Sequence, residues 1–360
     1  MTTTTPASIA GSRAASTDRA VGLWLIGCCA MIFAMAVIGA ITRLTESGLS
    51  IMEWAPVSGA LPPLSAEEWQ RLFDLYRQIP EYQQVNAGMS LDEFKTIFWW
   101  EYIHRLWGRL IGVVFALPFL WFWWRGRLDR RMTMLLLIAL ALGGLQGLLG
   151  WFMVASGFGD RTDVSQYRLV AHLGLALAIY AYLFWLALGQ LWPRPERSRD
   201  PGAGRLRRAA FTLLALITLT ILSGGFVAGL NAGLVYNTFP LMDGDLVPAG
   251  YGMLAPWPLN LFENHAAVQF NHRLLAVATV LACLAVWLWS LRLDLTPVAQ
   301  GGFALLAIVA LLQLALGIVT LLLVVPIWAA ALHQAGAILV LTAALWCLYH
   351  LRVRRQTLAA

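Results

Sequence analysis

Hydropathy divides the chain into apolar runs separated by short polar or basic breaks. The runs cover about 21–42, 98–124, 132–155, 167–192, 209–230, 267–291, 302–325 and 327–351. Each reaches the roughly 20 residues that a helix needs to cross a bilayer. Backbone groups in lipid must pair within their own segment, so the runs are helices rather than an open sheet. The pattern predicts an all-α integral membrane fold with eight transmembrane helices. Two breaks are long. The first, residues 43–97, is interrupted by Pro56, Pro62, Pro63 and Pro80. In it, Ser65-Ala66-Glu67-Glu68 opens a short amphipathic surface helix running to Gln78. The second, residues 231–266, is rich in Gly and Pro.

The pattern repeats. Gly39-Ala40-Ile41-Thr42-Arg43-Leu44 resembles Gly225-Phe226-Val227-Ala228-Gly229-Leu230, and Gly48-Leu49 returns as Gly233-Leu234. Leu145-Gln146 with Gly150 matches Leu312-Gln313 with Gly317, and His172-Leu173-Gly174 matches His333-Gln334-Ala335. Each half holds four spans, an even number, so the halves are parallel repeats about an axis along the membrane normal. The expected organisation is an N-tail (1–20), a four-helix half (21–192), a basic linker (193–208), a second four-helix half (209–351) and a short tail (352–360).

Charge orients the bundle. The chain of 360 residues is 59% hydrophobic and 12% charged, with a formal charge of +6. The positive charges do not form a nucleic-acid surface. They sit beside apolar runs, at Arg13 and Arg19, at Arg125, Arg127, Arg130 and Arg131, at Arg194 to Arg208, and at Arg352, Arg354 and Arg355. By the positive-inside rule both termini are cytoplasmic and the two long loops face the opposite, periplasmic side. The cysteines, Cys28, Cys29, Cys283 and Cys347, all lie in apolar runs, so no disulfide or zinc site is expected.

Four histidines carry the candidate chemistry. His104 and His272 open the second and sixth spans, and His172 and His333 lie near the start of the fourth and eighth. All four spans enter from the side of the long loops, which puts the rings roughly 7–10 Å below that surface. Imidazoles at one depth on alternate helices suit axial ligation of iron in two haem groups. His265 and His350 fall outside this pattern and read as a surface or gating residue and an interface residue.

Arg105 and Arg273 directly follow His104 and His272. Either could grip a haem propionate, as could Arg43 and Arg168 with less support. Glu101 shares a helical face with His104 at i, i+3. Its counterpart, Gln269, cannot ionise. An intramembrane carboxylate marks function, here proton transfer beside the haem or stabilisation of a cationic intermediate, or else it pairs with an arginine, here Arg105. Asn271 is a candidate to orient His272. There is no phosphate loop, no Cys-x-x-Cys-His and no His-Glu-x-x-His zinc helix.

The segments Gly39-Ala40-Ile41-Thr42-Arg43-Leu44-Thr45-Glu46-Ser47-Gly48-Leu49-Ser50, Glu101-Tyr102-Ile103-His104-Arg105, Asn231-Ala232-Gly233-Leu234-Val235-Tyr236-Asn237-Thr238-Phe239-Pro240-Leu241-Met242 and Asn271-His272-Arg273 together resemble the haem A synthase family over nearly the whole chain. The resemblance implies oxidation of the C8 methyl of haem O to a formyl group by successive hydroxylation, making haem A for terminal oxidases. It implies that His272 and His333 ligate a haem b cofactor. It implies that His104 and His172 bind the substrate haem O, with Glu101 beside the reacting edge. It also implies partnership with a haem O synthase and with oxidase assembly factors; the spans and their charge pattern suit a bacterial inner membrane, with a mitochondrial inner membrane as the alternative. Some members carry a cysteine pair in the first outer loop, which this chain lacks. A quinol-linked dihaem electron-transfer protein shares the histidines but gives no reason for Glu101 against Gln269. A haem transporter would show broken mid-membrane helices. The electron donor is not legible in the sequence.

Overall fold

The structure, a computed structural model, describes residues 18–56, 58–193, 197–198 and 200–353. Most of the expected N-tail and the end of the C-tail, with Arg13, Arg194, Arg199, Arg354 and Arg355, lie outside the described residues. Ten α-helices are present among the described residues: α1 (Arg19–Leu44), α2 (Ala66–Tyr76), α3 (Pro80–Gln84), α4 (Leu91–Trp124), α5 (Arg130–Val154), α6 (Gln166–Leu191), α7 (Ala203–Gly229), α8 (His265–Ser290), α9 (Pro297–Leu322) and α10 (Ile327–His350). All except α2 and α3 are long and apolar enough to cross a membrane, one for each expected span. The four cysteines are buried free thiols within α1, α8 and α10.

Three helices begin five or more residues before their apolar runs, and in two of them a side-chain cap sets the first turn. The Ser90 side chain accepts from Glu93 N–H, while the Glu93 carboxylate accepts from Ser90 N–H at 2.7 Å, forming a capping box that starts α4 at Leu91. Thr296 caps α9, with Pro297 in its first turn. The third, α7, begins at Ala203 and takes Arg205, Arg207 and Arg208 out of the expected linker. Among the described residues of the remaining linker, Arg197–Ser198 form a two-residue strand, β1, parallel to β2 (Arg352–Val353). The sequence pattern does not announce this pairing.

The spans form two closed rings. In one, α1 packs on α4 and α6, and α5 bridges α4 and α6; in the other, α7 packs on α8 and α10, and α9 bridges α8 and α10. The rings meet through α6 on α7, α1 on α10 and α6 on α10. Exchanging α1 with α7 and α6 with α10 maps this set of contacts onto itself, as a two-fold relation between parallel repeats requires. More than half of the α10 span is buried, against under a third of every other span, because α10 lies at this junction. Tyr180 and Thr342 share a hydrogen bond of 2.8 Å there, and Tyr349 Oη donates to Trp192 O at 2.6 Å.

The first long loop has its own core. The apolar face of α2 (Leu72, Phe73, Tyr76) packs with Ile79, Leu49 and Val164 against Phe94, Phe98 and Tyr102 of α4. Tyr102 Oη donates to Ala60 O at 2.7 Å. Buried in this cap is Glu81 on α3, with one carboxylate oxygen lacking a hydrogen-bond partner. Burial first, then the negative charges of Asp163 and Glu101, push its carboxyl up to about 8.

The folded cap therefore holds the Glu81 proton more tightly than the unfolded chain does. Its stability should be greatest in acid and fall as pH rises from about 4.5 through about 8. Limited proteolysis of the cap should accelerate across that window. Glu81→Gln, which has no proton to lose, should flatten the dependence, and an unchanged slope in the variant would contradict the assignment.

Candidate functional site

Each of the four histidines lies against a glycine of the neighbouring helix in its own ring. A Cβ built on Gly39 of α1 would stand 3.2 Å from His104 Nε2 of α4, and one on Gly150 of α5 would stand 2.9 Å from His172 Cε1 of α6. In the second ring, a Cβ on Gly224 of α7 would stand 3.0 Å from His272 Cε1 of α8, and one on Gly317 of α9 would stand 2.7 Å from His333 Cε1 of α10. A side chain in any of these places would push the ring off the helix. The counterpart of Gly39 is thus Gly224, not the Gly225 that the sequence repeat suggests. The Gly224-Gly225 doublet hides the register, and Gly225 instead faces Val170 and Leu173 of α6.

Polar side chains hold three of the rings. Ser223 Oγ is 2.8 Å from His272 Nδ1 and donates to Thr220 O at 2.7 Å, so it can accept from the imidazole N–H. The Gln146 amide lies 3.2 Å from His172 Nδ1 and donates to His172 O at 3.0 Å. In the same arrangement, the Gln313 amide lies 3.0 Å from His333 Nδ1 and donates to His333 O at 2.8 Å. Asn271, expected to orient His272, is bonded instead to Tyr251 Oη at 3.0 Å. The true partner, Ser223, sits on another helix, where local spacing does not reveal it. His265 opens α8 at the surface, whereas His350 is buried among Trp192, Trp346 and Tyr349.

Near each first histidine, the helix and its long loop are matched in hydrogen-bond polarity. The Glu101 carboxylate is 2% exposed. It accepts from Arg105 Nε at 2.9 Å and Nη2 at 2.6 Å, and from Ser50 Oγ at 2.8 Å and Ile51 N–H at 2.6 Å. In the second half, Gln269 accepts from Arg273 Nη2 at 3.0 Å, but its amide donates to Ala232 O at 2.8 Å and Tyr236 O at 3.1 Å. A carboxylate is acceptor-only, and the first loop presents donors to it; an amide can donate, and the second loop presents carbonyls. The difference between the halves is built into both partners.

The arginines are largely turned to these loops. Arg105 also donates to Glu53 O at 2.9 Å and to Ile51 O, and Arg273 to Thr238 O and Tyr236 O, both at 2.8 Å. Arg273 Nε is buried without a partner. Arg43 joins the two rings through Asp163 at 3.2 Å and Asn231 at 3.0 Å, and Arg168 donates to Phe152 O at 2.7 Å.

The residues fit haem iron. The His272 and His333 ring centroids are 6.5 Å apart with planes at 85°. A metal bonded to both facing nitrogens at about 2 Å would hold two imidazole centroids about 6 Å apart. Four glycine cradles clear the space on the outer side of each ring. Fold and site together define an eight-helix membrane protein of two repeated bundles, each with two histidines on glycine cradles, the pair in the second bundle spaced to suit haem.

The profile of the cytochrome oxidase assembly proteins (COX15-CtaA) matches residues 22–345, and the chain belongs to that family. It is 55% identical over 340 residues to a protein of Rhodospirillum centenum, covering 94% of this chain and 90% of that one. It is 52% identical over 327 residues to a protein of Nitrosomonas eutropha, covering 91% of this chain and 92% of that one. Both relatives carry the name heme A synthase.

Gly317→Ala should displace the His333 imidazole from its place between α9 and α10. The expected outcome is a purified protein that stays helical by circular dichroism but loses most of the haem absorbance of that half. Full haem retention would contradict the role given to the glycine cradle.

Proposed function

We propose that this chain is a membrane oxidoreductase that converts haem O to haem A, oxidising the C8 methyl group to a formyl group by successive hydroxylation. One observation carries the reading: two repeated sites differ chiefly in Glu101 against Gln269, with each loop built to match. The names of the relatives agree with it. Residues 21–192 are the half that takes haem O, with His104 and His172 as axial ligands. Residues 209–351 hold haem b through His272 and His333. When bound, haem b supplies one-electron transfer. Haem O synthase and oxidase assembly factors are the partners that fit this chemistry.

The chain's own residues bind, orient and set charge. Glu101 lies one helical turn from His104 and faces the same site. Four donors converge on its two oxygens, so we assign it the role of an anion that favours positive charge developing at the reacting edge of the substrate. Arg105 and Arg273 tie the loops over the two sites. Arg273, whose Nε is unpartnered, keeps a donor for a propionate. Both termini and the basic segments face the cytoplasm of a bacterial inner membrane, with the haem sites toward the periplasm. Neither long loop contains a cysteine, which supports membership of the group without an outer-loop thiol pair.

Glu101→Gln separates this reading from a dihaem electron-transfer protein. The variant should keep its haem and lose roughly 10²-fold or more of haem A output, the scale of losing one preorganised electrostatic contact. Haem A formed at the normal rate would sink the assignment of Glu101 and favour the electron-transfer reading.

A further inference from the structure

The four histidines are not held equally. His272 has at Nδ1 a hydroxyl that can accept its ring N–H, and the Gln146 and Gln313 amides lie against His172 and His333, while His104 has no hydrogen-bond partner for either ring nitrogen among the described residues. The contrast is sharpest between α1 and α7, which occupy corresponding places in the two rings. Immediately before the cradle glycine, α7 has Ser223 and α1 has Ile38, which offers no side-chain donor or acceptor. The ring orientation differs too. Gly150, Gly224 and Gly317 each meet the Cε1 corner of their histidine, but Gly39 meets the Nε2–Cδ2 edge of His104. With nothing gripping Nδ1, packing against α1 alone sets the orientation of this imidazole.

A metal-bound imidazole depends on a hydrogen bond at its other nitrogen for orientation and basicity. Loss of such a partner costs typically 10–100-fold in metal affinity. The weakly held ring is also the one that shares a helix face with Glu101, in the half proposed to react. A haem with histidine on both faces cannot take a small exogenous ligand until one histidine leaves.

We propose that His104 is the releasable member of the four, and that Ile38 in place of a hydroxyl residue makes it so. This rests on the ligand assignment made above. The haem held by His104 and His172 opens on the His104 side to a small diatomic ligand. The haem held by His272 and His333 stays closed on the corresponding side, because Ser223 can accept from the His272 ring N–H and hold that ligand.

The test is carbon monoxide binding to the reduced, full-length protein carrying haem in both halves, followed by difference spectroscopy, with total haem measured on the same sample. Wild type should bind carbon monoxide at one haem per chain. Ile38→Ser, which restores the hydroxyl found on α7, should weaken that binding roughly tenfold or more at unchanged haem content. Ser223→Ala should move the other way and make the second haem reactive. Carbon monoxide binding that neither variant shifts, with both haems retained, would overturn the proposal. Two haems retained in His104→Ala, with a spectrum unchanged from wild type, would overturn the ligand assignment itself and so identify a different failure.

Discussion

An imidazole can lie across a neighbouring helix inside a bilayer only where that helix leaves room for it. This chain meets that condition four times, with Gly39, Gly150, Gly224 and Gly317 under His104, His172, His272 and His333. In each pair the histidine and its glycine lie on different helices, so each contact fixes the register of one helix against the next. Four such contacts, repeated across a two-fold arrangement of spans, fix where the four imidazoles sit. The junction of α6, α7, α1 and α10 then keeps the two sites in one body.

Against that repeat, the differences carry the function. An acidic residue at the end of a span is costly unless every oxygen is satisfied. The first loop meets the cost with Ser50, Ile51 and Arg105, and its own aromatic core holds those donors in place. The second loop offers carbonyls to Gln269 and carries no such core. A second asymmetry lies on α1 and α7, where Ile38 and Ser223 stand in corresponding positions. Both asymmetries distinguish the first half, which has the buried carboxylate and the histidine without a hydrogen-bond partner among the described residues.

Much of this is legible in the chain itself. The eight spans follow from hydropathy, because lipid leaves no other way to satisfy the backbone. The four histidines stand out because they repeat while His265 and His350 do not. What sequence spacing does not convey is contact between helices. Ser223 is far in sequence from His272, and the Gly224-Gly225 doublet shifts the apparent register by one residue. Asn271 looks like the local partner and is taken by Tyr251. Arg105 and Arg273 read equally well as propionate grips or loop ties until the carbonyls of Glu53 and Thr238 are seen beside them. Glu81 is one acid among many in a polar loop, and only folding buries it.

The most direct measurement is chromatography of the pigments extracted from purified protein, quantified per chain. One haem b together with one haem of the O-to-A series is the expected result. Haem b alone at two per chain would contradict the division into a cofactor half and a substrate half, and no haem would remove the histidines from their role.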